Sequence, residues 1–187
     1  MVAVPFLVLA AFFTFFFRDP ERRAPVAATA ADVLSPADGK VLVAGAPTAE
    51  AAPPGSWKQI SIFLSPMDVH VNRVPASGRV TRVVLTPGRF LPAYHHDAAT
   101  ANERSEIWID HAGQTVVARQ IVGILARRVV CRLRGGEAVQ AGQRFGVMKF
   151  GSRMDVFVPD DAEVTVRVGD TVRGGETIIA VLHSTQL

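Results

Sequence analysis

From Leu34 onward, short apolar runs alternate with turn-forming residues. The runs KVLVAG, QISIFL, GRVTRVVL, SEIWIDH, TVVARQIVGILA, RRVVCRL, RFGVMKF, MDVFV, AEVTVRV and TIIAVL are rich in Val, Ile and Phe. Gly, Pro, Asp and Asn punctuate them, which is the pattern of short strands joined by tight turns. No long stretch repeats its apolar positions every 3.6 residues, so helix is limited to the N-terminal segment and a turn or two. The predicted architecture is mainly β over residues 35–187. Residues 2–17, VAVPFLVLAAFFTFFF, carry no charge and end abruptly at Arg18. As a helix they would span about 24 Å at roughly 1.5 Å per residue, short of the roughly 30 Å hydrocarbon core of a bilayer. Arg18, Arg22 and Arg23 follow the apolar stretch, a placement that favours the body on the cytoplasmic side. Residues 1–17 therefore read as a hydrophobic membrane anchor or shallowly inserted segment. A secretory signal cleaved near Ala28-Thr29-Ala30 is the lesser alternative. Residues 18–34, charged and then rich in Pro and Ala, read as a linker.

Two internal echoes refine the fold. GGEAVQAGQRFGVMKF (135–150) and VGDTVRGGETIIAVLH (168–183) share the frame Gly-acid-x-Val-x-x-Gly followed by an apolar strand. SPADGKV (35–41) is echoed by VPASGRV (74–80). Repeated turn–strand units bury one face each and need a stacked partner to complete a core. They resemble barrel-sandwich-hybrid proteins, the group that includes lipoyl and biotinyl carrier domains. That likeness says nothing about chemistry.

Composition narrows the class. Of 187 residues, 49% are hydrophobic and 20% charged, which excludes intrinsic disorder. Cys131 is the single cysteine, so an internal disulfide and a cysteine-based zinc cluster are both excluded. The formal charge is +3, and only Lys40, Lys58 and Lys149 are lysines, so the excess is arginine. Arginine suits phosphate and carboxylate partners, though the bias is also what a GC-rich genome produces. No basic run is interleaved with aromatic residues, so nucleic acid is not an expected partner.

Four blocks could carry chemistry: SPADG (35–39) with Asp38, SPMDVHVNRVP (65–75) with Asp68 and His70, ANERS (101–105), and FGSRMDVFVP (150–159) with Gly151-Ser152. Strand alternation would put Asp68 and His70 on one face, where both reach a common partner. Each also has a plain structural reading. Asp38 before glycine is an ordinary turn residue, a strand histidine is more often structural, and Gly151-Ser152 alone is a bulge or turn. His95-His96-Asp97 has no third metal ligand at a suitable spacing, so no metal is expected. Lys149 in VMKF only half matches the lysine of biotin carriers.

Together the blocks resemble the phosphatidylserine decarboxylase family in its short, archaeal-type form. The motifs are FFRDPER (16–22), SPADGKV (35–41), SPMDVHVNRVP (65–75), NER (102–104), QIVGILARRVVC (120–131) and KFGSRMDVFVP (149–159), in this order. The family usually has Arg at Lys149 and Asn at Ser105. The resemblance implies a proenzyme in which the Ser152 hydroxyl attacks the Gly151 carbonyl and converts amide to ester. Elimination and hydrolysis then leave a pyruvoyl group at the new N-terminus of residues 152–187, separate from residues 1–151. Glycine offers no side chain to block that attack, and the serine needs a base to take its proton.

The resemblance further implies that the pyruvoyl carbonyl, rather than pyridoxal phosphate, forms a Schiff base with phosphatidylserine. It accepts the electrons released with carbon dioxide, giving phosphatidylethanolamine. The two chains of the precursor would remain a heterodimer. In the long-form branch an Asp and a His act with the cleaved Ser. Asp38 matches that acid, but the triad histidine aligns with Arg73, and His70 matches a second histidine tied to decarboxylation. Either His70 serves both stages, a task that suits an imidazole, or Asp68 or Asp38 acts without a dedicated histidine. An anionic membrane surface is an expected partner and the cytoplasmic face of the cell membrane the expected location. The rival readings are a non-enzymatic, membrane-anchored barrel-sandwich adaptor, and a pyruvoyl decarboxylase acting on a soluble amino acid.

Overall fold

A computed structural model of the chain describes residues 3–48, 50–125 and 128–183. Ala126 and Arg127 of the QIVGILARRVVC block, and residues 1 and 2 of the apolar segment, lie outside these. The first half contains α1 (Ala3–Phe16), β1 (Asp32–Leu34), β2 (Gly39–Gly45), β3 (Trp57–Leu64), β4 (Val71–Arg73), β5 (Gly78–Thr86) and the single-turn α2 (Ala98–Ala101). The remainder contains β6 (Arg104–His111), β7 (Gln114–Ile121), β8 (Val130–Cys131), β9 (Ala138–Val139), β10 (Arg144–Val147), β11 (Ser152–Pro159), β12 (Glu163–Val164), β13 (Thr171–Val172) and β14 (Ile178–Val181). The molecule is mainly β, as its alternating pattern predicts.

One curled sheet of eight strands, in the order β13-β2-β3-β11-β7-β6-β5-β9, forms the body. Two three-stranded sheets, β4-β10-β8 and β1-β14-β12, complete it. Alternation along β11 sends Met154, Val156 and Val158 into the core with Ile60, Ile62 and Leu64 of β3 and Ala118 of β7. On the opposite face Arg153 pairs with Asp155 at 2.6 Å and donates to Ser61 at 2.9 Å, while Gln59 donates to both Ser61 and Asp155. These polar groups are buried, and satisfying one another offsets the cost of removing them from water.

The echoes seen in the sequence meet each other in space. Val172 lies opposite Gly39, and its counterpart Val139 lies opposite Gly78. A Cβ on either glycine would fall 2.2 Å from a neighbouring strand's carbonyl, that of Phe63 or of Asp110. Backbone hydrogen bonds repeat in related pairs: Leu34 to Pro75 with Arg73 to Pro36, Val41 to Asp170 with Val80 to Glu137, and Gly175 to Ser35 with Gly142 to Val74. Two copies of one unit are thus knitted around an approximate two-fold relation.

The N-terminal segment forms a 14-residue helix, about 21 Å long at roughly 1.5 Å per residue. Among the described residues no helix is long and apolar enough to cross a membrane. All of α1 except Phe16 is exposed. The residues that follow are tied to the body by charge. Arg18 donates to the Met67 carbonyl at 2.7 Å. Asp19 and Glu21 each pair with Arg144 at 2.8 Å, and Arg22 pairs with Asp38 at 2.8 Å and Glu176 at 2.7 Å.

Candidate active site

Ser152 is the first residue of β11, opposite Leu64 at the end of β3. Strand alternation turns its side chain to the core face, where it is fully buried. Its Oγ has no hydrogen-bond partner. A buried hydroxyl left unpaired costs about 1–3 kcal/mol, a penalty that a structural serine usually escapes by finding an acceptor. The turn leading into it is strained. Phe150 and Gly151 have φ of 51° and 70°, so two consecutive residues before Ser152 are left-handed, and only one is glycine. A non-glycine residue held there costs about 1–3 kcal/mol and persists only where surrounding structure enforces it.

The Gly151 carbonyl is enclosed by another backbone. A Cβ placed on Gly123, just beyond the end of β7, would sit 1.8 Å from the Gly151 oxygen, so only glycine allows this approach. The sequence contains Gly123 within a motif but offers no sign of this contact, which depends on pairing between residues 28 positions apart. A Gly123→Ala protein is expected to fold but to lose most of the self-cleavage that the resemblance implies at 151–152, because its Cβ would displace the Gly151 carbonyl. A time course on denaturing gels, with thermal unfolding of the same sample, checks this.

His70 is buried, and its Nδ1 lies 2.8 Å from the Asp68 main-chain oxygen. A carbonyl can only accept, so Nδ1 carries the proton and Nε2 presents a lone pair. Nε2 has no partner. Burial pushes the His70 pKa below its ordinary value, against the raising effects of the Asp68 hydrogen bond and carboxylate; Arg18 adds to the lowering. Desolvation therefore favours the neutral ring. Phe16 of α1 lies on this imidazole, ring centroids 4.2 Å apart, and also stacks on Phe150 at 4.3 Å.

Asp68 and His70 do not share a strand face, because β4 begins only at Val71. Residues 65–68 form a turn in which the Asp68 carboxylate accepts the Ser65 N–H at 2.7 Å. Proline at the second position and aspartate closing the turn give it a chemical reason. Asp68 thus meets His70 through its main-chain carbonyl. The Asp38 carboxylate is engaged on both oxygens, by Arg22 and by the Gly174 N–H at 2.8 Å. Arg73 donates to the carbonyls of Gly142 and Pro20, both at 3.0 Å, and joins β4 to the FFRDPER segment. His95 and His96 are exposed beside Asp97, and no group of three metal-ligating side chains occurs among the described residues.

An apolar cleft of about 390 Å³ opens beside Gly151, walled by Phe63, Pro92, Tyr94, Ile124, Leu125 and Phe150. Asn102 of the NER block builds it. Fully buried, its amide accepts from the Leu91 N–H and donates to the carbonyls of Leu91 and Val122, at 2.8–2.9 Å. One side chain thereby pins together the two loops that form the cleft walls.

A family model described as phosphatidylserine decarboxylase matches residues 9–180 of this chain. Three similar relatives bear the name phosphatidylserine decarboxylase proenzyme. That of Salinibacter ruber is 45% identical over 180 residues, covering 94% of this chain and 79% of the relative. That of Prosthecochloris aestuarii is 43% identical, covering 94% and 80%. The Chlorobium chlorochromatii protein is 46% identical, covering 95% and 81%.

Proposed function

The chain belongs to the phosphatidylserine decarboxylase family, and from that premise we propose how its own residues prepare and use the family's electrophile. It is a proenzyme that is processed into two chains and decarboxylates phosphatidylserine to phosphatidylethanolamine. We place the cut between Gly151 and Ser152. The observation that carries this is the buried, unpartnered Ser152 Oγ following a turn with two left-handed residues.

These residues fit a covalent pyruvoyl group derived from Ser152. Its precursor hydroxyl forms no competing hydrogen bond, and the carbonyl it must attack is fixed against Gly123. Once formed, that group supplies a carbonyl that holds the substrate's amine and withdraws the electrons freed with carbon dioxide. His70 is the base. Its Nε2 lone pair takes the Ser152 Oγ proton as oxygen bonds to the Gly151 carbon, then gives it to the Ser152 nitrogen as the carbon–nitrogen bond breaks, so the amide becomes an ester with a free amine. The Asp68 carbonyl fixes the tautomer. In the mature enzyme the same nitrogen, protonated, returns a proton to the substrate carbon that has lost carbon dioxide. Asp38 and Asp68 act by position: Asp38 fastens the FFRDPER segment, and Asp68 shapes the turn that carries His70.

The membrane reading rests on exposed apolar surface. Phe6, Leu7 and Val8 of α1 are exposed, as are Met67, Tyr94, Ile124 and Leu125 around the site. A soluble monomer rarely shows so much contiguous apolar helix surface. We place the protein at the cytoplasmic face of the cell membrane, with α1 in the interface and the apolar cleft receiving lipid. An anionic surface adds attraction through the arginine excess. The hydrogen-bonded two-fold repeat supports kinship with the barrel-sandwich hybrids, and the ordered motifs support the short, archaeal-type form. A membrane-bound adaptor without catalysis finds no support in the site or in the relatives.

The test is carbon dioxide release from phosphatidylserine in detergent micelles. The expected result is turnover without added cofactor, abolished by hydroxylamine or by borohydride added with substrate. Turnover insensitive to both carbonyl reagents overturns the assignment.

A further inference from the structure

The aromatic contact between the N-terminal helix and the histidine is not used in the scheme above. Fourteen uncharged residues make α1, and Phe16 alone among them is buried. Its ring lies over the His70 imidazole with 31° between planes, and stacks on Phe150 with 23°. Two residues on, Arg18 grips the Met67 carbonyl at 2.7 Å. That carbonyl belongs to the same turn whose Asp68 oxygen accepts from His70 Nδ1. The segment therefore holds the histidine twice, by its ring face and by its supporting turn. The apolar cleft beside Gly151 is lined by Phe150 and not by Phe16, so the Phe16 ring lies outside this cleft and leaves its entrance free.

We propose that Phe16 is a positioning residue, whose ring seals the His70 imidazole from water, holds Nδ1–H on the Asp68 carbonyl and leaves Nε2 free for Ser152. The inference rests on His70 being the base. The charged groups facing the imidazole are the Asp68 carboxylate and the Arg18 guanidinium. Lys149, from the turn before Gly151, places its Nζ 5.9 Å from the neighbouring Phe17 ring. Helix α1 itself brings no charge. Burial is the largest influence on His70, so removing the ring that supplies part of it lets water reach the charged form and favours protonation.

The experiment has two arms, both on the full chain in detergent micelles. In the first, histidine-labelled Ser152→Ala protein is titrated by NMR with and without Phe16→Ala, the His70 signal being assigned by its loss in His70→Gln. The expected His70 midpoint rises by about one pH unit in Phe16→Ala, and by less in Phe16→Leu, which keeps an apolar side chain over the ring. In the second, the rate of self-cleavage is followed against pH in chains that retain Ser152. Its acid limb is expected to move upward with the NMR midpoint, while Val168→Ala, an exposed apolar position away from the helix and the site, leaves it in place.

An unchanged His70 midpoint in folded Phe16→Ala overturns the proposal. Should that variant fail to fold, Phe16→Leu carries the same comparison: a raised midpoint supports the role of Phe16, and an identical one removes it. A midpoint that moves without the cleavage profile supports Phe16 as the seal but removes His70 as the base, so the two readings fail separately.

Discussion

A Ser152→Ala protein is expected to remain one full-length chain and to show no decarboxylase activity. The unsubstituted protein is expected to separate on a denaturing gel into residues 1–151 and a 36-residue partner, 152–187. The loss is complete because the hydroxyl is both the nucleophile that opens the peptide bond and the origin of the electrophile. Alanine fits the buried position and removes only an oxygen that has no partner. The variant should therefore be at least as stable as the parent, since deleting an unsatisfied buried polar atom relieves a cost of about 1–3 kcal/mol. Intact-mass spectrometry supplies a second check. The small chain must lack the α-amine of an ordinary N-terminal serine, and a fragment beginning with unmodified serine would sink the scheme.

His70→Gln should slow self-cleavage by about 10²–10⁴-fold, the range ordinarily supplied by a positioned base. Glutamine retains a polar side chain of similar reach but has no basic nitrogen. In the parent, cleavage is expected to rise with pH as His70 loses its proton. Burial has moved that transition below the usual imidazole value, so the rate should already be on its plateau near neutrality. The glutamine variant should lose this acid limb. The same shift bears on stability. Below the ordinary imidazole pKa the unfolded chain binds a proton that the native chain resists, so stability falls as pH drops until the lowered native pKa is passed. Equal cleavage rates for parent and His70→Gln across the pH range would remove the histidine from the chemistry.

Local pattern carried most of the fold. The strands β5, β6 and β10 lie where alternation and flanking turn residues put them, and the paired echoes predicted units that bond in matching register. Other apolar runs overstated their strands: RRVVCRL contributes only β8 (Val130–Cys131) and AEVTVRV only β12 (Glu163–Val164) among the described residues. TVVARQIVGILA reads as a continuous strand, yet β7 stops at Ile121, where the chain leaves the sheet to pass the Gly151 carbonyl and wall the cleft. Hydrophobicity alone cannot separate a buried strand from an exposed apolar loop. The site was open to proposal from residue type alone at Gly151-Ser152. It was illegible where function depends on distant partners. Asn102 bonds to residues 11 and 20 positions away. Phe16 is one of five phenylalanines among six residues, and nothing in so uniform a stretch tells which ring turns inward. Asp68 is a different case: what it sets against His70 Nδ1 is its peptide oxygen, which any residue possesses.

The position of β11 has a consequence for the life history of the molecule. It runs down the middle of the large sheet, with β3 along one side and β7 along the other, and begins at Ser152, the residue that the proposed cut would release. A terminus made there would begin a strand already stitched on both flanks, to β3 from Ser152 and to β7 from Arg153, while β13 and β14 are woven into β2 and β1. Scission severs the thread but not the fabric. Assembly must precede maturation, and a separately made 152–187 peptide would find its central slot already closed.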